Sequence, residues 1–264
     1  MSDPMEIPFD TARVVKEVCH FRVYCMRWEY PVKPEISFVD ENTVLGREEN
    51  HWSACAVKAQ DRLKVYRWKE SWIGQNQEIR FRTVKALKRM QYLADYARRN
   101  RFRNTLDPEK EEYRPEAERT LYDLFKSKGK EQEGAAFTQA ASVFGGDYEM
   151  IAALFYIKNR MAYLPACTEY VDESFALLGI GYRLTGSCTW ENYCGYIRIV
   201  DRIRGIMQDL IPEIVIRLID AYSFLWIVRQ GLFNNLKMKP EEAAAIEQAA
   251  AAYMEKKAQD RSQP

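Results

Sequence analysis

Only two histidines, His20 and His51, occur among the 264 residues. That scarcity excludes a histidine-rich metal centre and a self-contained nuclease of the histidine-metal type, since both need several imidazoles close together. Charge of one sign is lacking as well: 39 basic and 38 acidic side chains leave a net charge of +1. No global field therefore draws the chain toward nucleic acid or an acidic partner, and any electrostatic function must be local. Long uncharged apolar runs are also missing. The most apolar stretches, Met150 to Ile157 and Ile211 to Val228, are cut by Lys158 and by Glu213, Arg217 and Asp220. Neither offers the roughly 18 uncharged residues of a membrane span, so both read as buried helices and no membrane partner is expected.

Glycine and cysteine are present without the patterns that would carry chemistry. There is no GxSxG elbow, no P-loop and no dinucleotide fingerprint; Gly145-Gly146 and Gly179 to Gly181 open helices without the required lysine or preceding strand. Neither a serine elbow nor nucleotide hydrolysis nor a dinucleotide cofactor is therefore expected, and no other cofactor is expected. The six cysteines, Cys19, Cys25, Cys55, Cys167, Cys188 and Cys194, include no CxxC pair. The start, Met1 to Glu6, lacks the basic and apolar regions of a secretory signal, which makes a cytoplasmic location and buried thiols the expectation.

What is there is ordinary globular material, with 47% apolar and 29% charged residues. Asp10 is a good cap for a helix from Thr11 toward Trp28, whose apolar face is Val14, Val18, Phe21, Cys25 and Trp28. Pro31 and Pro34 end it. Ile36 to Val39, the turn Asp40-Glu41-Asn42 and Thr43 to Gly46 read as a β-hairpin, and residues 54–68 lean towards strands because their apolar pattern fits neither period cleanly. Ser71 to Gln77 reads as a loop and domain boundary.

Helical punctuation dominates thereafter. Thr83 is read as the cap of one helix reaching about Asn104, and Pro115 opens another. Further helices run from about Glu133 to Phe144, from Asp147, after Pro165 to Gly179, from Thr189, after Pro212 with Val215 inward, and from Pro240 to about Lys257. The last is alanine-rich, with Ile246, Tyr253 and Met254 as its large apolar groups, and is expected to pack weakly or to mediate association. The expected class is α+β, predominantly α: a helical bundle with a small N-terminal helix-plus-β-hairpin subdomain. Its expected divisions are an α+β subdomain over 1–77, a helical domain over 78–237, and an alanine-rich helix and tail over 238–264.

One local charge anomaly stands out. Between Arg80 and Arg103, nine cations face the single acid Asp95, an excess of eight. On one continuous helix Lys85, Arg89, Tyr92, Tyr96, Arg99 and Arg103 recur at helical spacing opposite the apolar stripe. Clustered cations neutralise phosphates, and tyrosines between them stack on bases, so the stripe is the candidate nucleic-acid site. The plainer reading is that it neutralises the acidic connector Asp107, Glu109, Glu111, Glu112, Glu116 and Glu118.

Other constellations are weaker. His20 and His51 with Cys19, Cys25 and Cys55 lack the close pairing of a structural zinc site, and no metal is expected. Asp61 with Glu78-Ile79-Arg80 is an imperfect version of a strand-borne nuclease set, with arginine where lysine is needed. Asp172, Glu191 and Asp220, each near large aromatic groups, are candidate cleft carboxylates, with helix capping as the simpler account.

The run Phe144-Gly145-Gly146-Asp147, Leu154-Phe155, Tyr163-Leu164-Pro165, Phe175 with Leu178-Gly179, Trp190 to Tyr193 and Asp220 to Trp226 resembles an uncharacterised bacterial domain of restriction and other defence settings, over about residues 80–230. The resemblance implies no residue roles. It implies a recognition or accessory part, because such relatives sometimes stand beside a nuclease module. The resulting expectation is a non-enzymatic nucleic-acid-binding or accessory protein, with a protein-interaction or homo-oligomeric subunit as the alternative and an undescribed metal-dependent nuclease as the third.

Overall fold

The computed structural model describes residues 7–28, 44–75, 77–107, 109, 115–231 and 238–262; for 26–28, 44–50 and 261–262 it describes the backbone alone. In chain order the helices are α1 Thr11–Trp28, α2 Val44–Leu63, α3 Glu78–Leu87, α4 Tyr96–Thr105, α5 Pro115–Lys126 and α6 Lys130–Val143. They continue with α7 Tyr148–Lys158, α8 Thr168–Leu177, α9 Trp190–Leu210, α10 Leu218–Arg229 and α11 Pro240–Ser262. Short 3-10 turns cover Val65–Arg67 and Glu70–Trp72. The chain divides into two compact units, one of residues 1–49, 169–183 and 198–264, the other of residues 50–168 and 184–197.

The class is therefore helical, and the α+β expectation is corrected. Among the described residues there is no sheet, only an isolated antiparallel bridge between Phe9 and Ile180. Val44, Leu45 and Gly46, expected as the second hairpin strand, open α2, so the hairpin does not form; Ile36 to Val39 lie outside the described residues. Residues 54–63, expected as strand, belong to α2 as well. The buried positions explain the error: Trp52, Cys55, Ala56, Ala59 and Leu63 form one helical face made largely of small groups, which a search for large apolar residues overlooks. Thr83 is no cap either, but a buried residue within α3 whose hydroxyl donates to the Ile79 carbonyl at 2.8 Å. Val215, expected inward, lies ahead of α10 and is 82% exposed.

In the first unit, the Asp10 carboxylate accepts from the Arg13 N–H at 3.0 Å, opening α1 as its sequence predicts. The α1 face of Val14, Val18, Phe21 and Cys25 is buried, and Phe21 meets Phe224 of α10 edge-on at 5.3 Å. Gly179, at φ +68°, is required there: a Cβ would sit 2.8 Å from that of Asp10. α10 is buried nearly all round, and at its start Asp220, fully buried, accepts from the Arg217 N–H and guanidinium. α11 packs along α1, burying Ile246 and Tyr253.

The second unit is organised by aromatic rings. Phe137 of α6, Tyr148 and Phe155 of α7, Tyr163, and Trp190 and Tyr193 of α9 pack with centroids 5.2–6.2 Å apart, mostly tilted or edge-on. Gly134 makes room for Trp190, whose ring lies 2.8 Å from where a Cβ would be. The Tyr193 hydroxyl donates to the Leu164 carbonyl at 2.6 Å and accepts from the Leu164 N–H at 3.2 Å, pairing both polar groups of a fully buried residue. Removing one hydroxyl strands both. Tyr193→Phe is expected to lower stability by about 2–3 kcal/mol, read as a lower urea midpoint at unchanged slope.

Candidate nucleic-acid interface

The basic segment lies in the second unit, on two helices rather than one. α3 ends at Leu87, residues 88–95 turn, and Asp95 opens α4 by accepting from the Arg98 N–H at 2.8 Å. The single-helix stripe is thus corrected: Lys85 is on α3, Arg89 and Tyr92 are in the turn, and Tyr96, Arg99 and Arg103 are on α4. Met90, Leu93 and Ala94 are buried as their periodicity implies, but they are buried from a turn. Arg99 explains the break. Its guanidinium donates to the Ala94 carbonyl at 3.0 Å and to the Leu87 carbonyl at 3.3 Å, meeting acceptors that an uninterrupted helix would have used internally.

The nine cations of residues 80–103 divide by what they touch. Arg98 is structural: it reaches Asp95 at 3.1 Å, Asp147 at 3.0 Å and Glu149 at 3.1 Å, tying α4 to the start of α7, where Asp147 also caps by accepting from Met150. Burial pushes the Glu149 carboxyl up while Arg98 pulls it down; the Arg98 N–H holds Asp95 below its ordinary range. Arg82 pairs with Glu78 at 2.8 Å, and Arg101 stands 3.8 Å from Asp147. Lys85, Lys88, Arg89 and Arg103 are exposed and enter no ion pair among the described residues. Lys85 lies over the Phe81 ring at 3.9 Å.

The tyrosines stay outward. Tyr92 is 51% and Tyr96 71% exposed, and Tyr92 stacks on His51 at 4.6 Å with planes 8° apart. Two more exposed rings, Tyr66 at 75% and Phe81 at 50%, belong to the same unit and are not part of the stripe expected from sequence. Their signal was an aromatic standing outside any apolar stripe. Within the acidic connector, the fully buried Glu118 accepts from the Gly74 N–H at 2.8 Å and the Arg80 N–H at 3.1 Å, capping α3 from α5. Asp107 accepts from the Glu109 N–H.

The remaining candidates disperse. His20, Cys19 and Cys25 belong to one unit and His51 and Cys55 to the other, and no group of three histidine, cysteine, aspartate or glutamate side chains is placed to hold a metal ion among the described residues. All six cysteines are free thiols, three of them buried. Asp61 and Glu78 sit on helices, so no strand presents them. Asp220 is spent on the α10 cap, as the simpler account had it, and Glu191 lies in the first turn of α9. One polar constellation was not foreseen: Lys158, largely buried, donates to Ser127 and Glu133, each at 2.8 Å, while burial and Glu133 push the Tyr163 phenol well up. Every partner there is matched, which makes it a tie between α6 and α7. No helix among the described residues is long and apolar enough to cross a membrane.

Comparison with family models, curated proteins and solved structures finds no match.

Two substitutions separate scaffold from surface. Arg98→Ala leaves Glu149 without its cation and Asp147 with only Arg101 at 3.8 Å, and is expected to cost about 3 kcal/mol, whereas Arg103→Ala should stay within about 0.5 kcal/mol by thermal or urea unfolding. Glu118→Ala, which orphans two N–H groups at the head of α3, is expected to cost about 2–4 kcal/mol in the same measurement.

Proposed function

We propose that this chain is a nucleic-acid-binding protein without a catalytic step of its own, contacting its ligand through Lys85, Arg89, Tyr92, Tyr96 and Arg103. The observation that carries the reading is the coincidence, within residues 81–103, of exposed cations that enter no ion pair among the described residues with exposed tyrosine rings. Each such cation releases a counterion when it meets a phosphate, and each ring offers a face to a base. Arg99 acts differently from its expected role: occupied with the Leu87 and Ala94 carbonyls, it holds the two helices in place behind the contact surface. The resemblance of residues 80–230 to a domain of defence settings supports a recognition or accessory part in such a system.

Fluorescence anisotropy with labelled single-stranded, duplex and RNA probes tests the reading across a salt series. The intact protein is expected to bind at least one probe at low salt, with affinity falling as salt rises. The double reversal Arg89→Glu/Arg103→Glu should weaken binding at least tenfold and make the salt slope shallower by about 0.7–0.9 for each phosphate no longer neutralised. Failure of every probe to bind, or equal binding by the reversed protein, sinks the proposal.

A further inference from the structure

We infer that the ligand is a single strand, and that Tyr66 is the platform on which it lays an unpaired base; this rests on the nucleic-acid reading above and adds a second contact region within the same unit. Tyr66 lies in a 3-10 turn, Val65–Arg67, entered through Lys64 in the left-handed conformation at φ 47° and ψ 48°. A lysine there is disfavoured, and the surroundings hold it: the next tryptophan, Trp68, is buried, donates from its indole to the Leu63 carbonyl at 2.7 Å, and packs edge-on against Phe125 at 5.5 Å. The turn is anchored by one aromatic and presents the other, with Tyr66 left 75% exposed.

Tyr66 stands between two surface clefts and lines both. One, of about 500 Å³, carries Lys126 at the end of α5 and Lys128 of the α5–α6 connection; the other, of about 510 Å³, carries Arg67, Lys69, Trp72 and Arg82. The Arg67 guanidinium is 5.6 Å from the Tyr66 ring centroid. The acids that line the clefts are already matched, Glu78 by Arg82 and Glu133 by Lys158, and so is Glu70, by Arg119. Arg67, Lys69, Lys126 and Lys128 enter no ion pair among the described residues, so positive charge flanks the ring on both sides. A ring between two cationic clefts has the order of groups that a polynucleotide presents, with a base between successive phosphates.

The two regions join through α3. Arg82 lines the second cleft, and Lys85 lies one turn further on the same outward face, beside the exposed Phe81 and short of Arg89. A strand can thus pass from Lys126 and Lys128 over Tyr66 and along α3 to Lys85 and Arg89. In a duplex the base faces are already stacked on one another, and a protein meets phosphates and base edges. The rings of Tyr66, Phe81, Tyr92 and Tyr96 would then contact no base. Only unpaired bases use those faces.

Anisotropy with a single-stranded probe and a duplex of the same sequence tests this. The intact protein should bind the single strand more tightly. Tyr66→Ala, at an exposed position, should weaken single-strand binding roughly tenfold at unchanged salt slope, and Tyr66→Trp should restore it. Lys126→Glu/Lys128→Glu should make the slope shallower by about 1.4, the value for two phosphates of a single strand left without their lysines. If Tyr66→Ala binds like the intact protein, or the duplex binds as tightly, while Arg89→Glu/Arg103→Glu still weakens binding, the single-strand platform is overturned and the helix-face reading stands. Absence of binding to every probe overturns both.

Discussion

A carboxylate deprived of water must be met by donors, and Glu118 imposes that requirement on the second unit. It lies on α5 with no exposed surface, and its donors are the backbone N–H groups of Gly74 and Arg80. One charge therefore sets the position of the turn that precedes α3 and the start of α3 itself. The lip of one cleft beside Tyr66, formed by Trp72, Glu78 and Arg82, lies on that same stretch. The candidate surface is thus held from beneath by a group that never reaches it.

The same division of labour runs through the cations. Side chains of one type, in one short segment, do opposite work according to what lies within 3–4 Å. Arg98 closes a three-acid contact, Arg99 meets the Leu87 and Ala94 carbonyls at the helix break, and Arg103 faces solvent. A local excess of positive charge in a sequence is consequently an upper bound on the charge offered to a ligand. Here the surface carried by α3, the 88–95 turn and α4 comes down to Lys85, Lys88, Arg89 and Arg103, and the region around Tyr66 adds cations that are distant in sequence.

Capping chemistry was the most legible part of the fold. Asp10, Asp147 and Thr189 each accept from the backbone of the turn they were expected to open, and the glycine pair at 145 and 146 adopts positive φ. These signals depend on a few adjacent atoms, so they survive whatever the rest of the chain does. α2 was illegible for the opposite reason: its buried face is built from Cys55, Ala56 and Ala59, whose value lies in how closely a neighbour approaches. The break between α3 and α4 was hidden because Met90, Leu93 and Ala94 keep the expected burial while the backbone turns.

The sequence by itself determined the order of the helices after residue 115, the caps at Asp147 and Thr189, most of the buried stripes and the location of the basic segment, because each follows from periodicity or from chemistry within one turn. Only the tertiary structure decided which arginines are spent internally, that Glu118 caps a helix it does not belong to, and that Tyr66 stands exposed between cations from separate segments. Those outcomes depend on distances between residues tens of positions apart. No local propensity encodes such distances; they are settled when the second unit packs and each buried polar group has to find a partner.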